Sequence, residues 1–230
     1  MANVALIFAR GGSKGLPNKN IRLINRKPLI YYSINQAKSC SFIKDVYVST
    51  ESKKIKEIAI KYGAKIIDRP RYLATDSSPE FLSWKHAVQF LIDKQVIFEK
   101  IISLPTVAPI RLKSDIKSAI ANLDNKTDIV ISVTRSKHYP EFNMVTFDKK
   151  GYCSLIKKKK NKVVRRQDAA DIYNITPHIY VTTPDFILKK TNIFDGKVKA
   201  IEIPEERSVD IDTKFDFEVA EFLIKRSKRK

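Results

Sequence analysis

Residues 4–20, VALIFARGGSKGLPNKN, are the most informative stretch of the chain. Their first part, Val4–Phe8, is a short apolar run typical of a buried strand. Three of the six glycines follow within five residues, at positions 11, 12 and 15. Glycine lets backbone N–H groups turn toward an anion and lets the anion approach closely, and Arg10, Lys14 and Lys19 add positive charge. The stretch predicts a phosphate-binding loop and a nucleoside triphosphate ligand.

The spacing of these glycines matches neither of two common nucleotide-binding templates. It is not the GxxxxGK[ST] pattern, because Lys14 comes too early, and it is not GxGxxG. A tight turn between a strand and a helix would explain one or two glycines. Such a turn would not also require the cations and the polar side chains of Ser13 and Asn20.

Strand and helix patterns alternate along the rest of the chain. Apolar strands are predicted at 4–8, 45–49, 65–67, 100–104, 129–133, 178–181 and 198–203, and helices at 28–40, 52–62, 79–94, 113–123 and 213–225. This alternation predicts a single α/β domain over residues 1–230 with a mostly parallel, doubly wound sheet. Ligands bind beyond the carboxyl ends of the strands of such sheets, which places the loops at 9–20, 49–51 and 104–111 on one rim. Residues 135–180 break the pattern and predict a β-rich insertion, suited to a subunit contact or a substrate lid.

The composition limits the class of protein. Among 230 residues there are 44 Lys and Arg against 25 Asp and Glu, a net charge of +19 that attracts nucleic acid or nucleotide phosphates. No zinc spacing or helix-turn-helix pattern favours nucleic acid. The apolar runs are far shorter than the roughly 20 residues of a membrane helix, and no signal peptide pattern is present. Cys40 and Cys153 have no metal-binding spacing. We expect a cytoplasmic protein with free thiols and no membrane association.

A second cluster, SVDIDT at residues 208–213, carries two acidic side chains. Residues two apart in an extended segment share a face, so Asp210 and Asp212 would project together while Ile211 enters the core. Two neighbouring carboxylates repel unless a cation lies between them, and hard oxygen ligands suit Mg²⁺ bridged to phosphates. The alternative is that Asp212 caps the helix that follows. A phosphate loop in the same chain favours the metal, provided that the fold brings the two segments together.

Two further polar segments are candidates for ligand contacts. Arg69 opens the loop RPRYLATD at 69–76, where it could meet a nucleotide or a carboxylate. Arg166 and Gln167 follow Arg165, and a guanidinium there could hold a carboxylate or phosphate with two hydrogen bonds. An exposed charged loop explains Arg166 and Gln167 equally well.

Taken in order, six segments resemble the acylneuraminate cytidylyltransferases, a family also called CMP-sialic acid synthetases. They are ARGGSKGLPNKN (9–20), VSTES (48–52), RPRYLATD (69–76), VAPIR (107–111), RRQ (165–167) and SVDIDTKFDF (208–217). The resemblance implies a Rossmann-like nucleotidyltransferase fold and a homodimer made through the insertion at about 135–180. It also implies Mg²⁺-dependent transfer of CMP from CTP to the anomeric hydroxyl of a nine-carbon 2-keto sugar acid, with release of pyrophosphate, an activity of class EC 2.7.7.

The resemblance also implies a role for individual residues. The catalytic residues would be Arg10, Lys19, Asp210 and Asp212, and the two aspartates would carry the Mg²⁺. Nucleotide contacts would come from Ala9, Arg10, Gly11, Gly12, Ser13, Asn20 and Arg69. Sugar contacts would come from Arg166, Gln167 and Tyr180.

The chain departs from the family pattern mainly on the sugar side. Pro105 replaces a glutamine, Val107 and Ala108 replace hydroxyl residues, and the strand entry reads TPHIY at 176–180. Loss of such polar groups changes which hydroxyl or acyl groups a site can distinguish. Residues 139–145 look more like family members that serve bacterial sugars such as legionaminate. The acceptor is therefore left open between an N-acylneuraminate and a related nonulosonic acid, with Kdo or a sugar 1-phosphate as alternatives and a nucleic-acid-binding protein as the alternative of another class.

Overall fold

The structure, a computed structural model, describes residues 2–157 and 171–227. Its strands are β1 (Asn3–Phe8), β2 (Leu23–Ile24), β3 (Lys27–Pro28), β4 (Ile43–Thr50), β5 (Lys65–Asp68), β6 (Lys100–Ser103), β7 (Ile129–Arg135), β8 (Val145–Phe147), β9 (Cys153–Leu155), β10 (Tyr173–Thr182) and β11 (Val198–Glu202). Its helices are α1 (Leu29–Lys38), α2 (Lys53–Lys61), α3 (Glu80–Asp93), α4 (Lys113–Asn122), α5 (Pro184–Lys189) and α6 (Lys214–Ser227).

Seven of these strands form one sheet in the order β11-β7-β10-β6-β1-β4-β5. All of its pairings are parallel except those of β10, which runs antiparallel to both β6 and β7. At its centre, Leu6 of β1 pairs with Tyr47 on one side and Ser103 on the other. The loops after β1, β4 and β6 therefore leave the same edge of the sheet, as the sequence predicts.

Both faces of the sheet are covered by helices, which explains why Val4–Phe8 is apolar at every position. On one face, Ala5 and Ile7 belong to a core with Ile34 of α1 and Ile116 of α4. On the other face, Leu6 packs in a cluster with buried side chains of α3 and α5. Alternate residues of β1 thus enter two separate cores, and the loop that follows is held from both sides of the sheet.

The predicted β-rich insertion contains the hairpin β8–β9 and most of β10. Several large apolar side chains on these strands and in the turn between β8 and β9 are exposed, among them Phe147, Tyr152 and Tyr173. Helix α5 was not predicted, although Thr183 and Pro184 are typical of a helix start. The Thr183 hydroxyl accepts a hydrogen bond from the Phe186 N–H at 3.3 Å. Within the described ranges, no helix is both long and apolar enough to span a bilayer.

Candidate active site

The glycine-rich loop leaves β1 and lies against the segment that carries the two aspartates. The Ala9 N–H donates to the Ser49 carbonyl at 3.1 Å, which ties the start of the loop to β4. A Cβ atom at Gly15 would lie 2.4 Å from the carbonyl oxygen of Asp212, whereas one at Gly12 would meet no atom of the described residues within 4 Å. Gly15 is therefore required by the close approach of two segments that lie almost two hundred residues apart in the chain.

Lys19 joins the same two segments through its side chain. Its Nζ donates to the Ile211 carbonyl at 2.6 Å and to Asp212 Oδ1 at 3.0 Å. Only 11% of the side chain is exposed, so the ammonium group is held in place rather than free in solvent. This contact sets a fixed positive charge beside the acidic pair.

Asn20 orders the loop from within. Its Nδ2 donates to the Arg10 carbonyl at 2.9 Å, and its Oδ1 accepts from Thr106 Oγ1 at 2.6 Å. Asn20 therefore connects the phosphate-type loop to the loop after β6. In this structure both ends of its amide already have protein partners.

A cavity of about 530 Å³ opens at the carboxyl ends of the central strands. The predicted residues that line it are Arg10, Ser13, Lys19, Asn20, Arg69 and Asp212. Of the other predicted residues in the described part of the chain, Ala9, Gly11, Gly12, Asp210 and Tyr180 are not among its lining residues. Thr75, Asp76 and Glu80 also line it, although the sequence analysis assigned them no role. Arg166 and Gln167 lie outside the described residues.

Asp76 holds two cations of the loop across the mouth of this cavity. Its carboxylate forms ion pairs with Lys14 at 2.9 Å and Arg10 at 2.6 Å, and these contacts lower its pKa. All three groups are partly or largely exposed to solvent, where such pairs contribute little to stability. The carboxylate occupies the position between two cations that an anionic ligand group could take.

Glu51 was also missed, although it lies in the loop at 49–51 that was predicted to be on the same rim. The Gly11 N–H donates to Glu51 Oε1 at 2.6 Å, and Arg69 Nη2 donates to Glu51 Oε2 at 3.1 Å. Burial lowers the pKa of the Arg69 guanidinium, and the negative charge of Glu51 opposes this effect. Glu51 thus holds Arg69 at the cavity wall, and the Gly11 amide, expected to face a phosphate, is used by the protein itself.

The two aspartates differ in their surroundings. Asp212 is bound by Lys19, whereas the pKa of Asp210 is raised to about 6, first by partial burial and then by the negative charge of Asp212. Asp210 still reaches solvent. The capping alternative for Asp212 is wrong. The start of α6 is capped by the Asp216 carboxylate, which accepts hydrogen bonds from the N–H groups of Asp212 and Thr213 at 3.1 and 2.7 Å. Because the negative charge of Asp212 raises the proton affinity of Asp210, a cation beside the two carboxylates would be favoured.

No group of three or more His, Cys, Asp or Glu side chains gathers as a metal site in residues 2–157 and 171–227. Asp210 and Asp212 therefore offer two carboxylate ligands at most in the described structure. A hard cation such as Mg²⁺ commonly keeps water and takes further oxygens from substrate phosphates. The residues present fit a metal that binds together with a phosphate ligand.

Tyr180 lies beside the main cavity, in the wall of a neighbouring pocket of about 250 Å³. Its ring meets Trp84 edge to face with centroids 5.3 Å apart, and burial raises the pKa of its hydroxyl. Glu80 lines both this pocket and the main cavity. The two spaces are therefore adjacent, with Glu80 at their boundary.

A buried network supports the loop after β6 from behind. Arg111 donates to the Pro105 carbonyl at 2.9 Å, to the His178 carbonyl at 2.6 Å and to Gln36 Oε1 at 2.7 Å. Burial lowers the pKa of Arg111 to about 9, so the guanidinium stays charged at neutral pH. Its hydrogen bonds fix the cavity-lining Pro105 relative to β10.

Comparisons with known proteins show which family and fold the chain resembles. The family described as cytidylyltransferase matches residues 4–226. A "Post-translational flagellin modification protein B" of Campylobacter coli is 33% identical over 95% of this chain and 93% of its own length. A "CMP-N,N'-diacetyllegionaminic acid synthase" of Campylobacter jejuni is 34% identical over 95% of this chain and 93% of its own. Among solved structures, a CMP:2-keto-3-deoxy-manno-octonic acid synthetase complexed with CTP superposes with a TM-score of 0.73 at 17% identity. The superposition covers 99% of this chain and 100% of that one, and the likeness concerns the fold alone.

Proposed function

The chain belongs to the cytidylyltransferase family, and from this premise we propose that it transfers CMP from CTP to the anomeric hydroxyl of a nonulosonic acid and releases pyrophosphate. Residues 1–230 would form one nucleotidyltransferase domain. The observation that carries the proposal is the convergence at one cavity edge of Gly15, Lys19 and Asp212. A glycine-rich loop, a fixed ammonium group and a carboxylate pair are together what a triphosphate and its cation require.

The reaction exchanges one phosphorus–oxygen bond for another and moves one proton. The hydroxyl oxygen of the sugar acid attacks the α-phosphorus of CTP, the bond from that phosphorus to the β-phosphate oxygen breaks, and the hydroxyl proton passes to water or a basic group. The protein acts chiefly by positioning and by neutralising the negative charge of the phosphates. Lys19 is placed for this task because Ile211 and Asp212 hold its Nζ at the cavity edge. Arg10 would exchange its contact with Asp76 for a contact with the phosphates.

We propose Mg²⁺ as the cofactor, held by Asp210 and Asp212 together with phosphate oxygens. When bound, such a cation withdraws negative charge from the phosphate oxygens and helps the pyrophosphate to leave. Two features of the chain support this choice: the donors are oxygens, and Asp210 has an unfavourable negative charge that a cation would compensate. Lys19 keeps Asp212 oriented before the cation arrives.

For the acceptor we propose a nine-carbon 2-keto sugar acid of the legionaminic or neuraminic type. The name of the Campylobacter jejuni relative, a CMP-N,N'-diacetyllegionaminic acid synthase, supports this class. We assign sugar contacts to Tyr180 and, outside the described residues, to Arg166 and Gln167. The place of Tyr180 in a pocket that adjoins the main cavity supports its part in this assignment.

We also propose a homodimer that forms through the insertion, in the cytoplasm. The support is the apolar surface of the hairpin β8–β9 and of the start of β10, where Phe147, Tyr152 and Tyr173 are 70%, 73% and 41% exposed. Exposed apolar patches of this kind mark sites of association. Sedimentation of the purified protein would give its mass directly, and a monomer at micromolar concentration would contradict the dimer.

The function is tested by incubating the protein with CTP, Mg²⁺ and a panel of acceptors, and measuring pyrophosphate. We expect release that depends on a nonulosonic acid and is lost in Asp212→Ala, while Asp185→Ala, a change at an exposed carboxylate of α5, keeps full activity. Release with Kdo alone would move the assignment to the alternative acceptor. No release with any acceptor, together with tight and salt-sensitive binding of nucleic acid, would contradict the enzyme itself.

A further inference from the structure

Glu80 is a charged side chain that faces the main cavity and has no assigned role in the reaction. It is the first residue of α3, and one of its oxygens, Oε1, accepts a hydrogen bond from Trp84 Nε1 at 3.2 Å. The residue remains exposed and lines both the cavity and the adjoining pocket. Within the described residues no other hydrogen bond to its carboxylate is formed. Its second oxygen is therefore available to a ligand.

Arg69 is the cation whose charge acts on Glu80. Each of the two groups shifts the pKa of the other, yet their side chains form no ion pair within the part of the chain that the structure describes. Arg69 Nη2 is held by Glu51, whereas its buried Nε has no hydrogen-bond partner among the described residues. The cavity wall thus includes a donor, the Arg69 guanidinium, and an acceptor, the Glu80 carboxylate, that influence each other electrostatically but do not pair within the described residues.

This combination is complementary to one edge of a cytosine ring. The edge carries two acceptors, O2 and N3, and one donor, the 4-amino group; uracil instead carries a donor at N3 and an acceptor at O4. We propose that Glu80 accepts a hydrogen bond from the 4-amino group of the bound nucleotide, beside Arg69 as donor to the ring acceptors, and so selects CTP over UTP. This inference rests on the proposed function only in placing a nucleotide in this cavity.

A second explanation of Glu80 is that a carboxylate in the first turn of a helix is favoured by the helix dipole. That effect needs only a negative charge at the start of α3, and an outward-facing carboxylate would supply it. It does not account for a carboxylate at the cavity wall, where the surrounding protein partly removes the group from water, raises its pKa and disfavours its charged form. A donor from the ligand would compensate this cost.

The substitution Glu80→Gln tests the inference because it reverses the hydrogen-bonding character at one atom. Trp84 Nε1 can only donate, so the glutamine oxygen stays toward Trp84 and the NH₂ group faces the ligand. An NH₂ group opposes the 4-amino group of cytosine and suits O4 of uracil. We expect CTP to bind about tenfold more weakly and the preference for CTP over UTP to fall by more than that factor. Glu57→Gln, at an exposed carboxylate of α2, is the matched control and should change neither value.

Affinities for CTP and UTP are measured by calorimetry without any acceptor, so the outcome does not depend on which sugar is used or on whether pyrophosphate is released. An unchanged CTP to UTP ratio in Glu80→Gln would overturn the inference, as would a change confined to the KM of the acceptor sugar. Should the variant fail to fold, the ligand can be changed instead. A 2-pyrimidinone triphosphate, which lacks the 4-amino group, should bind the unaltered protein about tenfold more weakly than CTP, and equal binding would overturn the inference.

Discussion

Acidification is expected to weaken the fold through one imidazole, that of His178. The residue is fully buried, and its Nε2 lies 3.3 Å from Asp115 Oδ2. Burial lowers its pKa from 6.5 to about 4; Asp115 opposes this shift, and the positive charges of Arg111 and Arg207 add to it. The folded state therefore keeps His178 neutral at pH values where the unfolded chain binds a proton. Stability due to this group is complete above pH 6.5 and is lost as the pH falls toward 4.

The size of the effect follows from the shift. A difference of about 2.5 pKa units corresponds to about 3 kcal/mol between pH 7 and pH 4. Other groups also titrate in this range: the pKa of His86 is lowered, which adds to the loss, and the pKa of the exposed Asp210 is raised, which opposes it. The informative quantity is therefore the difference between two proteins that share those groups.

We suggest urea unfolding of the unaltered protein and of His178→Gln at intervals from pH 7 to pH 4. Glutamine keeps a donor near the position of Nε2 and does not titrate. The stability advantage of the unaltered protein over the variant should shrink by about 3 kcal/mol across this range. A constant difference would refute the argument. Should the variant not fold, the NMR titration of His178 decides the same point, because a midpoint near 6.5 would show that the ring is not held neutral.

Two further predictions concern the site itself. Pyrophosphate release at limiting Mg²⁺ should fall about tenfold between pH 7 and pH 5, because Asp210, with its pKa raised to about 6, must lose its proton to bind the cation. The substitution Asp212→Asn reduces the negative charge beside Asp210 and should move the midpoint of metal binding to lower pH. An unmoved midpoint would contradict this cause. Gly15→Ala should lower the free energy of unfolding by about 1–3 kcal/mol, since its Cβ would lie 2.4 Å from the Asp212 carbonyl oxygen. Gly12→Ala, whose new Cβ would meet no atom of the described residues within 4 Å, should stay within about 0.5 kcal/mol of the unaltered protein in the same urea assay.

Much of the fold could be predicted because it depends on local patterns. The apolar run Val4–Phe8 predicts β1, and the periodicity of residues 79–94 predicts α3 to within a residue at each end. The direction of β10 could not be obtained in this way, because periodicity carries no information about which neighbours a strand pairs with. Helix α5 was missed because six residues are too few for a helical period to emerge.

The site was predicted in its composition more than in its contacts. Lys19 and Asp212 were both predicted from the sequence as site residues, and the structure places Lys19 Nζ 3.0 Å from Asp212 Oδ1. Glu51 and Asp76 were not named as contacts, because nothing local distinguishes a carboxylate that binds a distant loop from one that faces solvent. Their roles appear only when β4 and the loop after β5 are brought beside the glycine-rich loop.

The sequence by itself determined the family, the phosphate-type loop and the acidic pair, because each is a short run whose residue types and spacing carry the chemistry. Only the tertiary structure decided that Gly15 must touch the Asp212 backbone, that Lys19 joins the two segments, and that Glu80 faces the cavity. These are distances between residues far apart in the chain. They are set by the packing of whole strands and helices, and no local pattern records them.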